Sequence, residues 1–155
     1  MKIYLCSVGK AHDSYVKQGV EEFTKRISRY FPVEWKMISP AKQTANEGEI
    51  KKQEALSILN FVQKDDYLVL LDEKGKGITS PELAKLIEER GNSSTKNLVF
   101  LIGGAFGVDH QVKERANFTW SLSPLVFPHQ LVRLILAEQV YRACTINRNE
   151  KYHHE

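Results

Sequence analysis

From one end of this 155-residue chain to the other, short apolar runs of strand length alternate with longer stretches whose apolar residues recur every three to four positions. Ile3 to Val8 reads as a strand closed by Gly9. Ser14 to Tyr30 reads as a helix, with Val16, Val20, Phe23 and Ile27 on one face, stopped by Pro32. Val33 to Ile38 is a second strand, the polar stretch 41–48 a mobile loop, and a helix from about Glu49 carries Ala55, Leu56, Leu59 and Val62 on one side. Tyr67 to Leu71 is a continuous apolar strand, as expected where both sheet faces are covered, and Asp72 to Gly77 reads as the loop after it. Ser80 is the expected N-cap of the next helix, with Pro81 in its first position and Leu83, Leu86 and Ile87 as its stripe. Leu98 to Ile102 is the most apolar strand; a short helix over His110–Arg115 and a strand over Phe118–Ser123 follow. The last helix runs from about His129 to Cys144. With no linker and no internal repeat, the alternation predicts one α/β domain over 1–155, with a mostly parallel sheet and helices on both faces. It leaves strand order open.

Composition narrows the function classes. At 42% hydrophobic and 26% charged the chain has the profile of an ordinary globular domain, long enough to bury roughly two-thirds of its unfolded surface without staples. Cys6 and Cys144, at opposite ends in apolar surroundings, read as small buried hydrophobes, and no Cys/His spacing resembles a zinc site. The N-terminal apolar run is too short for a signal peptide or a membrane span, which points to the cytoplasm. Residues 1–64 hold eleven basic against seven acidic residues, a net +4, whereas 65–155 hold eleven against twelve, a net −1. Any basic face for nucleic acid therefore belongs mainly to the N-terminal half.

The last helix is unusual. Leu131, Val132, Leu134, Ile135, Leu136, Ala137 and Val140 wrap nearly its whole circumference, so it should pack on its own sheet and also on a second copy of the chain. His129 and Arg133 share one face at i, i+4, and Glu138 and Arg142 another. Charges on a helix so well buried are costly unless partnered, so these four are structural ties or site residues.

Ligands of open α/β sheets bind beyond the carboxyl ends of the strands. Three segments qualify. The first follows Leu71. The second, Gly103-Gly104-Ala105-Phe106-Gly107, is either a backbone cradle for a ligand or a tight strand-to-helix turn. It is not a dinucleotide fingerprint: G-x-G-x-x-G is absent, as are a P-loop and a G-x-S-x-G elbow. The third, Ser123-Pro124-Leu125-Val126-Phe127-Pro128, is stiff and apolar; it suits an adenine ring, or it merely caps the core. The closing Tyr152-His153-His154 is a frayed end or a lid carrying acid–base groups.

Taken together, Leu-Ile-Gly-Gly-Ala-Phe-Gly (101–107), Ser-Leu-Ser-Pro-Leu-Val-Phe-Pro-His-Gln-Leu-Val-Arg (121–133), Ala-Glu-Gln-Val-Tyr-Arg-Ala (137–143) and Tyr152-His153 resemble the RlmH family, with Lys-Ile-Tyr-Leu-Cys-Ser-Val-Gly-Lys (2–10) and Leu-Asp-Glu-Lys-Gly-Lys (71–76) in agreement. The resemblance spans the chain. It implies a minimal SPOUT methyltransferase with a C-terminal trefoil knot, the knot and cofactor loops falling within about 98–145. It implies a homodimer that methylates N3 of a pseudouridine in 23S rRNA on the assembled ribosome. S-adenosylmethionine, without a metal, would lie against Leu71, Gly103, Gly104, Ser123, Pro124, Leu125, Val126, Phe127 and Pro128. N3 must lose its proton, and His153, His129 and Glu138 are the candidate acceptors, with Arg142 and Tyr152 orienting the base or a phosphate. Relatives often carry Arg or Lys at the position of His154, where a histidine would grip phosphate weakly at neutral pH. A non-catalytic ribosome-binding factor and a nucleotide-binding hydrolase are the competing readings.

Overall fold

The structure, a computed structural model, describes residues 1–41 and 46–154. Five strands and five helices follow in order: β1 (Lys2–Val8), α1 (Ser14–Ile27), β2 (Val33–Ile38), α2 (Glu47–Phe61), β3 (Tyr67–Gly77), α3 (Ser80–Asn92), β4 (Asn97–Ile102), α4 (His110–Arg115), β5 (Phe118–Ser121) and α5 (His129–Asn147). They form a single sheet of order β2-β1-β4-β3-β5. Every neighbouring pair is parallel, so all five carboxyl ends lie along one edge.

The strand period of two sorts the core into two layers. Ile3, Leu5, Val69, Leu98, Phe100 and Ile102 pack on α1, α3 and α5. Cys6, Leu68, Leu70, Val99 and Leu101 face the opposite way, onto α2 and α4. Helix α5 lies against both α1 and α3. It is held to α3 by Ser80 Oγ donating to Gln139 Oε1 (2.7 Å) and by Asn147 Nδ2 donating to Ala84 O (2.9 Å). Both cysteines are buried and free, and burial pushes each thiol up to about 12. Among the described residues no helix is long and apolar enough to cross a membrane, and no group of His, Cys, Asp and Glu could hold a metal ion.

Several boundaries differ from those expected. Of the loop expected over 41–48, residues 42–45 lie outside the described residues; Asn46 caps α2 by accepting from Glu49 N (2.9 Å), and the helix already begins at Glu47. The buried face of α2 is Ile50, Glu54, Ala55 and Ile58, so Leu56, expected inside, is 64% exposed. Asp72–Gly77, expected as a loop, continues β3: after an irregularity beyond Leu71 the strand resumes pairing with β5 at Lys76 and Gly77. The two backbones approach so closely that a Cβ on Gly75 would lie 2.6 Å from the Thr119 carbonyl oxygen. The cap of α3 is Thr79 rather than Ser80, because Thr79 and Glu82 form a reciprocal capping box. Helix α1 stops at Ile27, β5 at Ser121, and α5 runs on to Asn147.

Candidate active site

The carboxyl edge of β3, β4 and β5 opens on a cavity of about 490 Å³. Leu71 and Ile102 end β3's apolar half and β4, Trp120 ends β5's inward side, and Val132 and His129 close the wall from the first turn of α5. Gly103, Gly104, Ser123, Leu125, Val126 and Phe127 all line it, as expected of a ligand loop; Pro124 and Pro128 do not. Pro124 lines a neighbouring groove, and Pro128 caps α5.

Local hydrogen bonds give the loops their shape. Gly107 N donates to Gly104 O (3.0 Å) and closes a turn in which Gly107 takes φ +82°. A Cβ at Gly104 would lie 2.5 Å from Oε1 of Glu54, a buried glutamate of α2. A side chain at Gly104 would therefore meet that carboxylate. In the third segment Ser121 Oγ donates to Ser123 O (3.1 Å), and Leu125 N to Ser123 Oγ (3.0 Å). These bonds turn Leu125 and Val126 outward, 68% and 79% exposed at the cavity mouth. Lys51 of α2, Lys113 of α4 and the acidic Asp72 and Glu73 of β3 complete the rim. Sequence reasoning missed Trp120, Val132, Lys51 and Lys113, because nothing in their spacing says that four elements converge.

His129 and Arg133 do different work. Burial first, then the charge of Arg133, holds the His129 imidazole below its ordinary pKa, so a neutral ring faces the cavity. Arg133 is 1% exposed and turns toward the loop after β1. Its Nε donates to Ser7 Oγ (3.0 Å) and its Nη1 to Lys10 O (2.9 Å).

The remaining candidates meet in a second cluster farther along α5. The Arg142 guanidinium donates to Glu138 Oε1 through Nε (2.9 Å) and Nη2 (2.6 Å). Tyr152 OH donates to the same oxygen (3.0 Å), and Gln139 Nε2 to Oε2 (2.8 Å). Arg142 Nη1 lies 3.2 Å from His153 Nδ1, and its guanidinium stacks over the Tyr152 ring. Burial, then the bond to Glu138, raises the Tyr152 pKa. None of these four lines the cavity, and His154 is exposed. Nine residues of helix, about 13 Å, separate His129 from Glu138.

A cavity of this size accepts an adenosine-sized ligand. Its apolar walls at Leu71, Ile102 and Trp120 suit a ring, and the exposed backbone of two loops suits the ring's polar edge. The residues present therefore fit the nucleoside cofactor that the family resemblance implies.

A family model described as "Predicted SPOUT methyltransferase" matches residues 1–153. The chain is 45% identical over 155 residues to the Ribosomal RNA large subunit methyltransferase H of Cytophaga hutchinsonii, covering 99% of this chain and 100% of that one. It is 42% identical over 157 residues to the protein of that name from Parabacteroides distasonis, with both chains fully covered. Among solved structures, a "probable methylase family protein" from Haemophilus influenzae Rd KW20 superposes with a TM-score of 0.54 over 99% of this chain and 70% of its own, at 7% identity, which speaks to fold alone.

Proposed function

The chain belongs to the SPOUT methyltransferase family, and on that premise we propose that it methylates large-subunit ribosomal RNA, at N3 of a pseudouridine on the assembled ribosome, as a homodimer using S-adenosylmethionine. The full-length relatives are named as large-subunit ribosomal RNA methyltransferases, which supports the first part of this reading. The observation that carries the reading is the cavity at the carboxyl edge, walled by the two glycine- and proline-bearing loops and by His129. The expected trefoil knot over 98–145 belongs to the same proposal.

Bound in the cavity, the cofactor supplies an electrophilic methyl group on a positively charged sulfur. Leu71, Ile102 and Trp120 would hold the ring, while Gly103, Gly104, Ser123, Leu125, Val126 and Phe127 would present backbone to its edges, with Pro124 and Pro128 stiffening that segment from outside the cavity. A neutral His129 adds no charge to repel that sulfur. Glu138 already accepts from Arg142, Tyr152 and Gln139, and so serves as an anchor rather than a base. Arg142 and Tyr152 orient the pseudouridine, and the N3 proton passes to His153 or His129. Lys51 and Lys113 at the rim offer cations to backbone phosphates.

Two facts support a dimeric site. The Glu138–Arg142–Tyr152–His153 cluster stands apart from the cavity of its own chain. The exposed Leu125 and Val126 leave the cavity mouth apolar and open. A tail from a second copy would close one over the other. A chain ending at Lys151 should fold, dimerise and bind S-adenosylmethionine within a few-fold of the full protein, yet lose at least about a hundredfold in methyl transfer to ribosomes. Calorimetry and a melting curve on the same preparation are the controls. Near-normal turnover would remove the tail from the site and leave the proton to His129. Binding of ribosomes with no methylated product would favour the non-catalytic factor instead.

A further inference from the structure

Glu54 is a buried carboxylate that the proposed methyl transfer does not use. It lies on α2, only 7% exposed, behind the glycine loop that lines the cavity. Its Oε2 accepts a hydrogen bond of 3.3 Å from Ala41 N. Its Oε1 occupies the place of the missing Gly104 side chain, with an ideal Cβ 2.5 Å from that oxygen and 3.2 Å from the carboxyl carbon. Among the described residues no lysine, arginine or histidine forms an ion pair with it. A carboxylate so placed is costly unless a positive charge comes near. The space across Gly104 is the cofactor cavity, which the proposed donor enters as a cation and leaves, after transfer, as a neutral thioether.

We propose that Glu54 is a positioning residue that selects the cofactor by charge: pressed against Gly104, its carboxylate shapes the loop and favours the sulfonium donor over the neutral product. This rests on the S-adenosylmethionine reading. The effect acts through one layer of backbone, where opposite charges still interact appreciably at the dielectric of a partly buried site. The result is a cavity that holds its substrate more tightly than its spent cofactor, so that methyl transfer itself loosens the grip.

The test compares two ligands of nearly the same shape, S-adenosylmethionine and S-adenosylhomocysteine, by calorimetry on the full-length protein without RNA. Glu54→Gln keeps the shape and removes the charge. It should weaken the sulfonium ligand about tenfold more than the thioether, the scale of a single attenuated charge pair. Equal weakening of both would reduce Glu54 to a steric brace and overturn the proposal, as would unchanged affinity for both. If Glu54→Gln fails to fold, Glu54→Asp draws the charge back by one methylene and should lower the same affinity ratio by a smaller factor; an unchanged ratio overturns the proposal equally. If wild-type protein binds neither ligand, the cofactor reading itself fails, an outcome distinct from loss of selectivity in a variant.

Discussion

Arg133 stands in a helix where leucine would ordinarily stand, and its guanidinium reaches the chain's first strand. Nη1 lies 3.3 Å from Nδ1 of His12, which can receive that bond only while unprotonated. Burial first, then the neighbouring Arg133 charge, lowers the pKa of His12; His129 is lowered by the same two causes in the same order. Both groups therefore bind protons more readily in the unfolded chain, so the stability they contribute is present above about pH 6.5 and is lost as pH falls through the lower folded values. Denaturant titrations from pH 7 down to 5 should show falling stability, and His12→Gln should flatten the slope. A slope unchanged in that variant would mean the His12–Arg133 contact carries none of the pH dependence. The sequence showed that a charge in so apolar a helix needs a partner. It did not show that Ser7, 126 positions away, supplies it. Glu54 was invisible for the same reason, since only the fold sets it behind Gly104.

At the scale of elements, α2 teaches most. Apolar spacing placed Leu56 with Ala55 and Leu59, but the buried face is Ile50, Ala55 and Ile58, with the carboxylate of Glu54 among them. One buried acid breaks the apolar stripe from which the helix phase was inferred. Leu56→Gln should therefore change stability by less than about 0.5 kcal/mol, whereas Ile58→Ala should cost about 2–5 kcal/mol. Chemical denaturation of the two variants checks the phase; a large loss at Leu56 would mean a partner covers it. Strand β3 went astray differently. Asp72–Gly77 has the composition of a loop, yet pairing with β5 overrides it beyond the irregularity. Where local pattern and burial agree, as in β2 over Val33–Ile38 and α4 over His110–Arg115, the observed bounds match those read from sequence.

For the whole molecule, the alternation of elements was enough to read a parallel α/β domain, because that pattern has few solutions. The order β2-β1-β4-β3-β5 was not legible, since it depends on which strands meet across the chain. The cavity loops were legible as glycine and proline signatures, but their separation from the Glu138–Arg142 cluster was not. That separation, with Leu131, Leu134 and Ile135 of α5 only partly covered in a single chain, predicts a dimer. Sedimentation at micromolar concentration should give about twice 17.8 kDa. A monomer that still methylates would show that one chain's cavity suffices.

The bond between Arg133 and Ser7 joins residues 126 positions apart. While the chain is being made, β1 and β2 are available to pair long before α5 emerges, and the cavity lacks the wall that His129 and Val132 provide. A chain cut short before α5 leaves the Ser7 hydroxyl and the Lys10 carbonyl without the guanidinium that binds them both. The anchoring of the first strand's end and the closing of the cavity wall thus arrive together, carried by one helix.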